Sequence, residues 1–267
     1  MTAGKEPVLI ERAAGTTPLV ISLPHVGTEL PADIEARLSA RARGVEDTDW
    51  HVDRLYGFAR AAGAAWLRPR LSRYVVDLNR PPGDEALYPG QASTGLCPPL
   101  SFDGTPLYLG APPDAAEVAQ RRERYWMPYH AAIGELLADA RRRFGFAVLL
   151  DGHSIRSHVP RLFAGRLPDI NVGTNDGRSC SPGLARAVMD RLGAQARFTH
   201  VLNGRFKGGY ITRGYGAPAT GVHSLQIELA QAAYMDEAGT SFDAARAAPL
   251  VEVLGAVVDA LLAFRPE

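Results

Sequence analysis

The sequence predicts an α/β fold, a single-domain mixed sheet flanked by helices. Short apolar runs bounded by turn residues alternate with longer stretches of 3.6-residue periodicity, which is the pattern of strands interleaved with helices. A chain of 267 residues with 46% hydrophobic content can bury one sizeable core. No repeat, low-complexity tract or flexible linker divides residues 1–267, so one domain is expected.

Taken in order, Pro18–Leu23 (PLVISL), Arg73–Leu78 (RYVVDL) and Ala147–Leu150 (AVLL) read as buried strands. Each runs into polar residues: Pro24-His25, Asn79-Arg80 and Asp151-Gly152-His153. Open α/β sheets place their chemistry there, just past the carboxyl ends of strands. Segments 31–40, 51–63, 183–194 and 242–264 carry helical spacing. So does Asp114–Arg143, where Pro128 should kink the helix or split it in two. The stretch Pro81–Pro113, rich in proline and glycine and without periodicity, predicts a long ordered loop over the active site.

With 29 basic and 29 acidic residues the formal net charge is zero, so no overall field recruits nucleic acid or anionic lipid. Any anion site must be local. Cys97 and Cys180 form no CxxC pair and have no neighbouring histidine, which fits a reducing cytoplasm. The first residues, MTAGKEPVLIERAAG, lack the cationic start and apolar stretch of a signal peptide, and no apolar run approaches the roughly 18 residues that span a bilayer.

Six constellations carry chemistry. In PHVG, His25 follows a buried strand and either ligates a metal or only hydrogen-bonds at the strand end. In DTDWHVD, Asp47, Thr48 or Asp49 is a helix N-cap, or Asp49 is an oxygen ligand to zinc with His51 and Asp53 behind it. In DLNRPP, the Arg80 fork beside Asn79 suits a substrate carboxylate, the alternative being an ion pair to Asp77. The most suggestive motif is DGHS, in which a strand presents His153 with Asp151 beside it, either to orient the imidazole or to ligate directly. In NGRFKGGYITR, Arg205, Lys207 and Arg213 among glycines make a local anion site or an ordinary charged hairpin; no phosphate-loop signature is present. In HSLQIEL, Ser224, Gln226 and Glu228 share one strand face, directed at a site or exposed at an edge.

Together PHVG, DTDWHVDRLY, DLNRPP, DGHSIR, GRFKGGYITR and HSLQIELAQAAYMDE resemble the N-formylglutamate deformylase family over roughly residues 17–240. The resemblance implies a zinc-exopeptidase-like (phosphorylase/hydrolase-like) fold, and hydrolysis of N-formyl-L-glutamate to formate and L-glutamate, the last step of one route of histidine degradation. The order of elements is also similar to that of zinc carboxypeptidases and aspartoacylase-like enzymes. By that similarity one Zn²⁺ is held by His25, Asp49 and His153. Asn79 and Arg80, with Arg205 and Arg213, bind the substrate carboxylates, and Glu228 is the general base. One departure stands out. Those relatives have HxxE, whereas here His25 is followed by Val26, Gly27 and Thr28, and Glu29 comes one place too late. Asp49 is therefore the expected acidic ligand and Glu29 its competitor.

Two other readings compete. A hydrolase of another N-acyl amino acid would keep the same motifs. A non-catalytic amino-acid-binding protein would keep the arginines without a working metal. A covalent serine or cysteine mechanism has little support, since there is no GxSxG elbow and neither cysteine has an adjacent histidine.

Overall fold

The computed structural model describes residues 9–87, 90 and 93–266. The N-terminal residues 1–8, on which the signal-peptide reading partly rests, and residues 88, 89, 91 and 92 of the proline-rich loop lie outside the described residues.

The strands are β1 (Ile10–Ala13), β2 (Leu19–Ser22), β3 (Ala65–Pro69), β4 (Ala147–Ile155), β5 (Ile170–Gly173), β6 (His200–Leu202) and β7 (Val222–Ala230), with a small hairpin of β8 (Met235–Asp236) and β9 (Ser241–Phe242). The helices are α1 (Ala32–Glu35), α2 (Val52–Leu55), α3 (Gly57–Ala61), α4 (Ala115–Arg121), α5 (Met127–Phe144), α6 (Pro182–Gly193), α7 (Tyr210–Tyr215) and α8 (Ala244–Ala263). The first seven strands form one mixed sheet in the order β1-β3-β2-β4-β7-β5-β6, antiparallel at β1/β3 and β5/β7 and parallel elsewhere. Among the described residues no helix is long and apolar enough to cross a membrane.

Alternation along the strands builds two cores. Leu19 and Ile21 of β2, Val148 and Leu150 of β4, and Leu225 and Ile227 of β7 pack with Leu184 and Val188 of α6 and Leu250, Leu254 and Leu261 of α8. Val20, Ala147, Leu149 and Val222 face the other way, onto Tyr129, Ile133 and Leu137 of α5. Because side chains alternate with period two, this assignment sends every second residue of the central strands to each layer. Asp151 and His153 of β4, and Ser224, Gln226 and Glu228 of β7, therefore fall on the α5 side.

Several expectations need correction. Arg73–Leu78 is buried but forms turns rather than a strand. Its backbone is satisfied locally, with Val75 N donating to Ser72 O (2.9 Å) and Asp77 N to Leu96 O (2.7 Å), while β1 already occupies the β3 edge where another strand would have paired. A short apolar run does not distinguish a strand from a buried loop. The β4 strand continues through Asp151-Gly152-His153 to Ile155, so these residues lie within the strand, not past its end. The 31–40 helix shrinks to α1, and the 51–63 helix breaks at Tyr56 into α2 and α3. Asp114–Arg143 is divided as expected near Pro128: a π-helical turn, Arg122–Trp126, separates α4 from α5. The proline-rich loop supplies Ser93, Thr94 and Phe102 to the pocket described next.

Candidate metal centre and active site

His25 lies just beyond β2, in a turn whose backbone runs against residues 70 and 71. A Cβ on Gly27 would come within 2.3 Å of Leu71 O, so only glycine lets PHVG make this approach. His25 O accepts from Asp49 N (3.0 Å), tying the two loops together. The helix-cap reading of Asp49 does not hold, because α2 is preceded by His51 and has no side-chain cap. The Asp49 carboxylate points instead at the histidines: its Oδ2 lies 2.9 Å from His153 Nδ1 and 3.7 Å from His25 Nδ1. One nitrogen from each imidazole and one Asp49 oxygen lie within 4.8 Å of one another, all on buried residues.

The outward-facing nitrogens show how the imidazoles are held. His25 Nε2 lies 2.7 Å from Asp77 Oδ1, and His153 Nε2 lies 3.0 Å from Asp151 Oδ2. A carboxylate behind a histidine fixes its tautomer and turns the other nitrogen toward a cation. That inner nitrogen of His25, and Asp49 Oδ1, are buried without a hydrogen-bond partner among the described residues. Donor atoms from two imidazoles and a carboxylate thus converge, those of His25 and Asp49 without a partner, in a set that could hold a metal ion. Glu29 is elsewhere, half-exposed and ion-paired with Arg70.

Opposite charges permit this density of buried ionic groups. Arg73, itself buried, places Nη2 2.6 Å from Asp77 Oδ2 and Nη1 3.8 Å from Asp49 Oδ1, with its guanidinium over the Phe102 ring. Burial alone would raise the Asp77 pKa, but Arg73 and His25 hold it well below the ordinary carboxylate range. Burial also opposes Asp49, and the hydrogen bond from His153 together with the nearby His25 imidazole again prevails, keeping it low. The His153 imidazolium is disfavoured by burial yet raised well above the usual histidine value by Asp151 and Asp49.

Across the sheet, Glu228 is the in-register partner of His153 and Gln226 that of Asp151. Paired residues of parallel strands project to the same side, so acid and imidazole stand next to each other. Gln226 Nε2 donates to Glu228 Oε2 (3.1 Å). Burial pushes the Glu228 carboxyl up to about 8 in the metal-free chain; a cation bound nearby would lower it.

These groups surround one pocket, lined by His25, Arg73, Asn79, Arg80, His153, Arg205, Gly209, Gln226 and Glu228, with Ile155, Leu162, Phe102 and Phe206 as apolar wall. Arg80 reaches it while anchored on Thr94, donating from Nε to the carbonyl (2.7 Å) and from Nη2 to the hydroxyl (2.9 Å). The ion pair expected as its alternative is loose, 3.9 Å to Asp77. Arg205 donates from Nε to Leu162 O (2.7 Å). Arg213, on α7, donates to Gly208 O (2.8 Å) and is not among the lining residues. The Asn79 side chain is engaged within the protein: its Nδ2 lies 3.0 Å from Asp151 Oδ2 and 2.8 Å from His153 Nε2, and its Oδ1 accepts from Ile211 N (2.7 Å).

Three groups of the site are not marked by any local motif. Arg73 and the orienting role of Asp77 were hidden in a run read as a strand, although a lone arginine heading a buried apolar segment is itself a signal. Gly209, whose N–H donates to Gln226 Oε1 (2.8 Å), gave no signal beyond its glycine-rich surroundings. Both cysteines are free and buried, and burial pushes their thiols up, Cys97 to about 12 and Cys180 to about 11. At neutral pH neither is a nucleophile.

Residues 17–235 match the family model described as N-formylglutamate amidohydrolase. An N-formylglutamate deformylase from Pseudomonas aeruginosa is 52% identical over 249 residues, covering 93% of this chain and 92% of that protein. One from Pseudomonas putida is 46% identical, with 95% of each chain covered. Among solved structures, an N-formylglutamate amidohydrolase from Ralstonia eutropha superposes with a TM-score of 0.77 at 30% identity, covering 95% of this chain and 96% of the other. The motifs, the shared fold and near-full-length identity place this chain in the N-formylglutamate amidohydrolase family.

Proposed function

We propose that the chain hydrolyses N-formyl-L-glutamate to formate and L-glutamate with one zinc ion held by His25, Asp49 and His153. The observation that carries this reading is the convergence, on one pocket, of the two histidines of the buried His25, Asp49 and His153 cluster with Glu228, Arg80 and Arg205. Relatives named N-formylglutamate deformylase supply the substrate.

When bound, zinc supplies Lewis acidity that polarises the formyl group and activates water near neutral pH. Asp77 and Asp151 keep the two imidazoles aimed inward. Arg80 and Arg205 receive the two substrate carboxylates, with Arg213 as the further candidate. Glu228 takes a proton from the attacking water and delivers it to the glutamate nitrogen as the C–N bond breaks. Such an activity would complete one route of histidine degradation, and a cytoplasmic setting would suit the two free thiols.

The test is a panel of N-formyl and N-acetyl derivatives of Glu, Asp and Gln assayed for amine release, with and without a chelator. Preference for N-formyl-L-glutamate and loss of turnover on chelation support the reading. Faster turnover of another N-acyl amino acid, or undiminished activity at zero zinc content, overturns it.

A further inference from the structure

The segment carrying Arg80 is not part of the sheet, so something else must fix it. Three successive carbonyls are each held by a different donor. His130 Nε2 lies 2.9 Å from Leu78 O, the backbone N–H of Tyr210 donates to Asn79 O (3.2 Å), and the Trp126 indole N–H donates to Arg80 O (3.0 Å).

The two side-chain donors form one unit. Trp126 and His130 lie one helical turn apart, with rings stacked at 3.7 Å, and His130 is flanked by Tyr215 and Tyr210. Burial lowers the His130 pKa to about 4, so the ring is neutral, with Nε2–H donating to Leu78 O; the Tyr215 hydroxyl lies 2.9 Å from Nδ1 and donates to the His130 carbonyl (3.0 Å). Trp126 closes the π-helical turn, and the extra residue there rotates everything before it relative to α5. That local irregularity, set next to Pro128, coincides with the residue that reaches Arg80.

We infer that Trp126 and His130 are positioning residues that clamp the backbone of residues 78–80 and so aim the Arg80 guanidinium at a substrate carboxylate. This rests on the reading of Arg80 as a carboxylate-binding residue. Neither ring lines the pocket, so both act through the segment they hold.

Steady-state kinetics of the zinc-loaded enzyme on N-formyl-L-glutamate, with calorimetric binding of L-glutamate as an equilibrium readout, test the inference. Trp126→Phe keeps the ring and removes one donor. KM and the L-glutamate Kd should rise about 3- to 10-fold, the worth of one hydrogen bond, with kcat and zinc content little changed. Arg80→Met should raise KM at least about tenfold. In the double variant Trp126→Phe should add nothing further, because its effect passes through Arg80. At position 130, Gln, which retains a donor, should perturb KM less than Leu; this pair carries the test if Trp126→Phe folds poorly. An unchanged KM in Trp126→Phe with a raised KM in Arg80→Met overturns the clamp while leaving the role of Arg80 intact. An unchanged KM in Arg80→Met overturns both. Additive effects in the double variant, or parallel loss of kcat and zinc, would mean the rings serve only general packing and overturn the inference.

Discussion

Glu228→Gln separates chemistry from stability in a single substitution. The carboxyl is 7% exposed and its pKa is raised from 4.5 to about 8, first by burial, so the folded metal-free chain retains a proton that the unfolded chain releases. A raised carboxyl pKa destabilises the fold as pH rises from the unfolded value through the folded one. Between pH 4.5 and pH 7 the loss is about 1.4 kcal/mol per pH unit, or about 3 kcal/mol in all. Gln cannot ionise and can still accept from Gln226. The chelated variant should therefore be more stable than the chelated parent by up to about 3 kcal/mol at pH 7, a Tm increase of about 6 °C, and equal to it near pH 4.5. With zinc restored, the same variant should keep its metal and lose about 10²- to 10⁴-fold in kcat. Thermal melts in chelator at the two pH values, metal analysis and initial rates cover all three effects. Near-parental kcat in a zinc-loaded variant would remove Glu228 from the reaction, and a stability gain as large at pH 4.5 as at pH 7 would refute the electrostatic reasoning.

Other consequences follow from the same geometry. Asp77→Asn and Asp151→Asn should each weaken zinc binding about 10- to 100-fold in a competition with a chromogenic chelator, because the imidazoles lose their orienting carboxylates; unaltered affinity would mean those contacts are incidental. Arg73→Met should destabilise the metal-free protein by about 3–5 kcal/mol in urea unfolding, since it leaves Asp49 and Asp77 buried without their counter-charge; a loss below about 1 kcal/mol would refute that role. Gly209→Ala places a Cβ 2.3 Å from Asn79 Nδ2, and should cost at least about tenfold in kcat/KM while leaving the circular dichroism spectrum intact. Asp151 and Asp49 raise the His153 pKa, so zinc bound there as proposed would compete with a proton, and zinc affinity should rise with pH. A flat profile would refute that competition.

How much of this was legible depends on whether a residue's partners are near it in sequence. As candidates, His25, His153 and Glu228 stand out in local motifs tied to a strand, and Asp49 because its motif resembles the family's own. Arg73 and Asp77 do not, because their meaning comes from Asp49 and His25 across a loop that only looks like a strand. The deepest piece of the site is a register. Nothing local to DGHS or to QIEL says that His153 and Glu228 will be neighbours. The apolar residues do: Leu150 and Leu225 pair across β4 and β7 and both face α6 and α8, so the next residue on each strand, Asp151 and Gln226, turns to the opposite side of the sheet, and two further on His153 stands beside Glu228. Slipping β7 by a single residue would turn Glu228 into the α8 layer and set Leu229 beside the imidazole. The hydrophobic alternation that stabilises the core is thus also what fixes the distance between the candidate base and the candidate metal ligand, and a sequence read one segment at a time cannot contain it.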